Sequence, residues 1–157
     1  MQKVYIETTI PSYIVSKTSR DIVVAAQQEI TREWWESERY LYDLFVSEAV
    51  VAECSQGDEL LVGKRLEIID DIAILPITEE SIKLSDEYCV LLGIPEKSRI
   101  DSLHLALVVV HEIDYLLTWN CRHLAHGEVR LKVHYYNTSM SLFEPVILTP
   151  LELMRRY

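Results

Sequence analysis

The chain has 157 residues, 49% of them hydrophobic and 25% charged, with only 4 glycines and 5 prolines. That suits one domain with a real core over 1–157, is too short for two, and is not the composition of a disordered chain. The formal net charge of −10 excludes a strong nonspecific nucleic-acid binder, which needs a basic face, and fits a metal site, a basic partner or plain solubility.

"KVYIE" over 3–7 predicts a strand, apolar at Val4 and Ile6. Pro11 suits the first turn of a helix. Over 18–35, Thr18 and Asp21 read as a capping box, and Ile22, Ala26, Ile30 and Trp34 recur every four residues, which predicts a helix. "RYLYDLFVS" over 39–47 predicts a second strand, and "EAVVAEC" over 48–54 a helix that Gly57 stops. Asp58 caps a helix over 59–70, "IAILPI" is a short strand, and Thr78 caps a helix that ends at Gly93. Ser98 reads as the cap of a largely apolar, buried helix over 99–113, and "DYLLTWN" as a fourth strand. Residues 121–143 read as helical with Gly127 as a break, "EPVILTP" as a last strand, and "LELMRRY" over 151–157 as a helical tail.

Strands alternating with helices predict an α/β three-layer sandwich, a central parallel sheet flanked by helices. Ligands of such sheets bind beyond the carboxyl ends of the strands, where the strand order switches. No apolar run approaches the ~20 residues needed to cross a bilayer, and no signal-peptide layout is present, so a cytoplasmic protein without a membrane partner is expected. Cys54, Cys89 and Cys121 are odd in number and widely spaced, which argues against a disulfide framework.

Three acids stand at strand-to-helix junctions or on apolar helices. Glu7 ends "VYIE", Glu53 interrupts "AVVAEC", and Asp101 lies in the first turn of "SRIDSLHLALVVV". Carboxylates gathered together repel one another unless a counter-charge is present, and a hard divalent cation such as Mg²⁺ is the natural one. Each acid also has an ordinary reading: a wet strand end, a helix surface residue, and the partner of Ser98 in a capping box. Glu48, one turn from Glu53, is the alternative second acid.

Taken together, "YIETT", "SEAVVAEC", "DSLHLAL", "LLTWNCRHL" and "TPLEL", in that order, resemble PIN-domain proteins. Within them the chain is similar to the VapC-like toxin ribonucleases of bacterial toxin–antitoxin pairs. The resemblance covers nearly the whole chain. It implies a PIN-like fold and a metal-dependent endoribonuclease that leaves a 5′-phosphate and a 3′-hydroxyl. It implies Glu7, Glu53 and Asp101 as ligands of Mg²⁺ or Mn²⁺, Asn120 at the fourth catalytic position, and Thr8 and Thr118 as hydroxyls that position water or hold a carboxylate. It implies RNA as substrate and an antitoxin as partner. Two positions depart from the family pattern: Glu7 stands where Asp is usual, and Asn120 where an acid is common. The missing charge implies one tight metal ion at most in the free protein.

Arg20, Lys17, Lys97 and Arg99 are the bases nearest these acids in sequence and are candidates for phosphate contacts. His123, three residues after Asn120, is a further substrate-binding candidate, or a solvated helix histidine. Cys121, His123 and His126 lack the fourth ligand of a structural zinc site. His104 and His111 read as satisfied core or boundary histidines. Trp34, Trp35, Tyr40 and Tyr42 read as core or interface packing, which suits a homodimer or an antitoxin contact, with base stacking as the alternative. A second class of function stays open: a PIN-fold domain that cuts weakly or not at all and serves as an RNA- or protein-binding regulatory module, which Glu7 and Asn120 favour. A metal phosphatase would need a nucleophilic Asp beside the first strand, where this chain has Glu7.

Overall fold

The computed structural model describes residues 1–155. Its strands are β1 (Lys3–Ile6), β2 (Asp43–Ser47), β3 (Ala73–Leu75), β4 (Tyr115–Leu117) and β5 (Val146–Leu148). The helices are α1 (Thr9–Val15), α2 (Ile22–Ser37), α3 (Glu48–Cys54), α4 (Glu59–Ile69), α5 (Glu79–Leu92), α6 (Arg99–Val110), α7 (Gly127–Ser139) and α8 (Pro150–Leu153). All five strands pair in parallel, in the order β3-β2-β1-β4-β5.

The centre of the sheet explains the composition of β1. Val4, Tyr5 and Ile6 are all fully buried, because a central parallel strand is covered on both faces. Register places Val4 beside Leu44 and Tyr115, and Ile6 beside Leu117. Helix α1 packs on α2 and α4, and α8 on α2, while α6 packs on α5 and α3, and α7 on α5. The sheet thus lies between helices, as alternation predicts. From β1 the chain runs outward through β2 to β3, then crosses back to β4 on the other side of β1. The order therefore switches between β1 and β4, and their carboxyl ends carry Glu7 and Thr118.

Several local expectations change. Asp21 alone caps α2, accepting from the N–H groups of Val23 and Val24, so the helix opens at Ile22 and Thr18 takes no part. Ser98 forms no side-chain cap, because a 3₁₀ turn over Glu96–Ser98 feeds straight into α6. Arg39–Leu41 is likewise a 3₁₀ turn, and β2 begins only at Asp43. The segment 121–126 is a set of turns rather than a helix. Asn120 starts those turns, its carbonyl accepting from the N–H groups of Leu124 and Ala125. Gly127 begins α7, where His126 Nδ1 accepts from Glu128 N, and does not break it. Gly93 ends α5 at φ 64°, the left-handed conformation that glycine adopts without strain. In the expected tail, α8 covers Pro150–Leu153, with a Thr149–Glu152 capping box, while Arg156 and Tyr157 lie outside the described residues. Trp34, Trp35 and Tyr42 are buried, with Trp34 stacked on Tyr42 and tilted against Trp35, whereas Tyr40 is exposed.

Candidate functional site

Glu7 is set by the strand before it. Its backbone N–H still pairs with the Leu117 carbonyl (3.2 Å), extending the β1–β4 ladder by one residue. The side chain is thereby held over the switch point, and only 4% of the residue is exposed. Three donors neutralise that burial. Oε1 accepts from Thr118 Oγ1 (2.5 Å) and Thr9 Oγ1 (2.6 Å), and Oε2 from Thr9 N (3.1 Å). The same hydroxyls brace the opposite loop, because Thr9 Oγ1 accepts from Trp119 N and Thr118 Oγ1 from Asn120 N.

Glu53 arrives from the last turn of α3, whose register Ser47 fixes by accepting from Val50 N at the helix start. Its Oε1 accepts from Thr8 Oγ1 (2.5 Å) and from His104 Nε2 (2.6 Å), which leaves Oε2 to accept elsewhere. His104 is fully buried on α6 and has both ring nitrogens in use, Nδ1 lying 2.7 Å from the Tyr5 hydroxyl. Among the described residues, the one cluster of three metal-ligating side chains is Glu7, Glu53 and His104, with ligand atoms within 4.8 Å of one another. With neither imidazole nitrogen free, His104 is better placed to orient Glu53 and offset its charge than to bind a metal itself.

Asp101 lies one turn before His104 on α6 and is outside that close cluster. Its Oδ2 is 2.7 Å from His123 Nδ1. Asn120 Oδ1 in turn accepts from His123 N (3.0 Å), so the carbonyl that could offer an oxygen ligand is engaged in a turn. The structure therefore brings Glu7, Glu53, Thr8 and Thr118 together, and holds Asp101, Asn120 and His123 as an adjoining set. Glu48 is exposed at the first turn of α3. Arg99 is paired with Glu96 (3.2 Å) and Asp86, and Arg20, Lys17 and Lys97 are exposed in loops or turns.

The ionisations follow from these contacts. Burial pushes the Glu7 carboxyl above its usual range, against the opposing pull of His104 and the two hydroxyls. Burial alone would raise Glu53 as well, but the hydrogen bond and charge of His104, with Thr8, outweigh it and hold Glu53 low. Burial would lower His104, yet its bond to Glu53 and the charges of Glu7, Glu53 and Asp101 raise it. Two buried-side carboxylates with unfilled lone pairs are a suitable oxygen donor set for a hard divalent ion, which typically takes one or two carboxylates and keeps waters.

Sequence reasoning missed Thr9 and the place of His104 in the site. The signal for His104 was present: a spacing of three from Asp101 puts both on one helix face. Nothing in "TT" says which threonine turns toward Glu7.

No protein-family model matches the chain, and no curated protein matches it. Among solved structures, the fold matches a chain of the crystal structure of VapBC2 from Rickettsia felis bound to a DNA fragment from their promoter. The TM-score is 0.53 over 95% of this chain and 98% of that chain, at 14% sequence identity. The fold is PIN-like. The resemblance read from the short motifs thus extends to the architecture that carries them.

Proposed function

We propose that this protein is a metal-dependent endoribonuclease, a cytoplasmic VapC-like toxin that acts on RNA, pairs with an antitoxin and forms a homodimer. The observation that carries the proposal is the meeting of Glu7 and Glu53 at the β1–β4 switch point of a PIN-like sheet. Glu7 and Glu53 would hold Mg²⁺ or Mn²⁺, and Asp101 would join them only if its bond to His123 were released. A cation held there would supply polarisation of a scissile phosphate and a lowered pKa for a bound water. The chain's own residues supply the rest. Thr118 and Thr9 fix Glu7, while Thr8 and His104 fix Glu53, so the carboxylates need no rearrangement to receive the ion. Asp101 and Asn120 orient the attacking water. His123 contacts a substrate phosphate once freed from Asp101, and Arg20 and Arg99 approach the RNA backbone. A basic antitoxin segment suits the net charge of −10. The VapBC2 structure that the fold matches is bound to a DNA fragment from its promoter.

One set of contacts favours a second reading, a PIN-fold regulatory module that cuts weakly. Asp101 is engaged by His123 and the Asn120 carbonyl by a backbone N–H, so two of the four positions are occupied internally. Cleavage of structured RNAs in Mn²⁺ by wild type and Asp101→Asn decides between them. The nuclease reading expects wild-type cleavage and at least about a tenfold loss in the variant. Equal cleavage by both means a contaminant or another site, and a Tm rise in Mn²⁺ with no cleavage by either supports the module.

A further inference from the structure

A buried hydrogen-bond path reaches Glu53 from beneath the sheet edge, through residues that touch no substrate. Tyr5, in the middle of β1 and fully buried, places its hydroxyl 2.7 Å from His104 Nδ1 and 2.6 Å from Ser47 Oγ. His104 Nε2 is 2.6 Å from Glu53 Oε1. Ser47 is the N-cap of α3, accepting from Val50 N at 3.3 Å, and Glu53 lies in the last turn of that helix. The path is therefore closed: it leaves α3 at its start, crosses β1 and α6, and returns to α3 at its end.

The polarity of the path is consistent from end to end. A carboxylate only accepts, so His104 donates from Nε2–H. With the ring neutral, Tyr5 O–H donates to Nδ1 and accepts from Ser47 O–H; with the ring protonated, Nδ1–H donates to the Tyr5 oxygen and Tyr5 O–H to Ser47 Oγ. In both states Val50 N–H donates to Ser47 Oγ and Tyr5 is the partner of Nδ1. A phenylalanine at position 5 would fill the same space, so packing alone does not call for a hydroxyl here. Tyr5 joins three elements in place of a water or a void, and its one output is the orientation of the imidazole that holds Glu53.

We propose that Tyr5 is a positioning residue for the cation site, acting on Glu53 through His104. The proposal rests on the cation reading given above and deepens it. With Tyr5→Phe, His104 Nδ1 loses its partner and the ring is free to turn, so Glu53 must be ordered by the incoming ion itself. Loss of an outer partner of this kind typically weakens metal affinity by about 10–100-fold.

The test is Mn²⁺ binding, read by the loss of the free-ion electron paramagnetic resonance signal, beside thermal unfolding in chelator. Four proteins are compared: wild type, Tyr5→Phe, His104→Gln, and the double variant. The proposal expects Mn²⁺ Kd to rise about tenfold or more in Tyr5→Phe, and no further rise when Tyr5→Phe is added to His104→Gln. Saturable wild-type binding with unchanged Kd in Tyr5→Phe overturns the proposal and leaves the cation reading intact. Additive losses in the double variant also overturn it, because Tyr5 would then act by another route. Absence of wild-type binding overturns the cation reading and this proposal together. Should Tyr5→Phe not fold, Ser47→Ala takes its place, since it removes the far end of the path and leaves Tyr5 and His104 present. A rise in its Kd that disappears in the His104→Gln background supports the proposal. An unchanged Kd, or the same rise in both backgrounds, overturns it, because loss of the α3 cap then accounts for the effect.

Discussion

The two sides of the cleft hold their acids by different chemistry. On the β1–β4 side, Glu7 is gripped by hydroxyls and a backbone N–H, from Thr118 and Thr9. On the α3–α6 side, Glu53 and Asp101 are each bonded to a histidine, His104 and His123. At Glu7 burial outweighs the opposing pull of His104 and of the two hydroxyls, so the pKa goes up. An imidazole brings a charge, so the Glu53 pKa goes down. The first side is a fixed floor. The second is held by imidazoles, one of which, His104, stays on Glu53 Oε1 and leaves Oε2 to accept elsewhere.

That contrast can be tested from its largest consequence to its smallest. Glu53→Gln keeps shape and loses charge, and is expected to abolish the Tm rise that Mn²⁺ gives the wild type, as is Glu7→Gln. A retained rise in either, followed by differential scanning calorimetry, would remove that acid from the site. Next come the hydroxyls. Thr118→Val leaves a buried carboxylate short of a donor and should cost about 1–3 kcal/mol of metal-free stability in urea unfolding. Thr8→Val should cost less, under about 1 kcal/mol, because Glu53 is only partly buried and keeps His104. Equal losses would mean that the two sides are not different in kind.

The pH dependence has a definite sign. His104 has a raised pKa, so its contribution is fully present below its ordinary value of 6.5 and is lost as pH rises through the raised one. Glu7 has a raised pKa too, with its contribution complete below 4.5 and lost as pH climbs. Glu53 behaves oppositely: its contribution is present above 4.5 and lost as pH falls through its lowered value. Metal-free Tm should therefore fall as pH is raised above 6.5, and fall less steeply in His104→Gln. A Tm that is flat across that window in wild type would contradict the charged pair. The smallest effect is at Asp101. His123→Asn frees its carboxylate and should tighten Mn²⁺ binding about threefold by titration, since a competing bond is removed. Weaker binding in that variant would make His123 a support rather than a competitor.

Much of this contrast could be read in the sequence, and its limits were physical. Alternating strands and helices imply the parallel sheet, the rule on carboxyl edges points to Glu7 at the end of the first strand, and the resemblance adds Asn120. Glu7 and Glu53 lie close together because each is fixed by a regular element, a central strand and a capped helix. Asp101 stayed apart because its rotamer is decided by His123, which lies in turns that read as helix. Hydrophobic spacing in "CRHLAH" carries no information about a chain that bonds to its own Asn120 carbonyl. His104 read as a satisfied core histidine, and both its nitrogens are bonded. Its spacing of three from Asp101 puts it on the site's face of α6, but that spacing does not say that the bond runs to Glu53.

The central claim is that Glu7 and Glu53 share one cation at the β1–β4 switch point. Anomalous diffraction from a crystal grown in Mn²⁺ tests it directly. The expected result is a single strong peak bridged by the Glu7 and Glu53 carboxylates, with Asp101 turned away from His123 toward the ion. A peak held by other residues, or none at that position with Thr118 and His104 still bonded to Glu7 and Glu53, would contradict it.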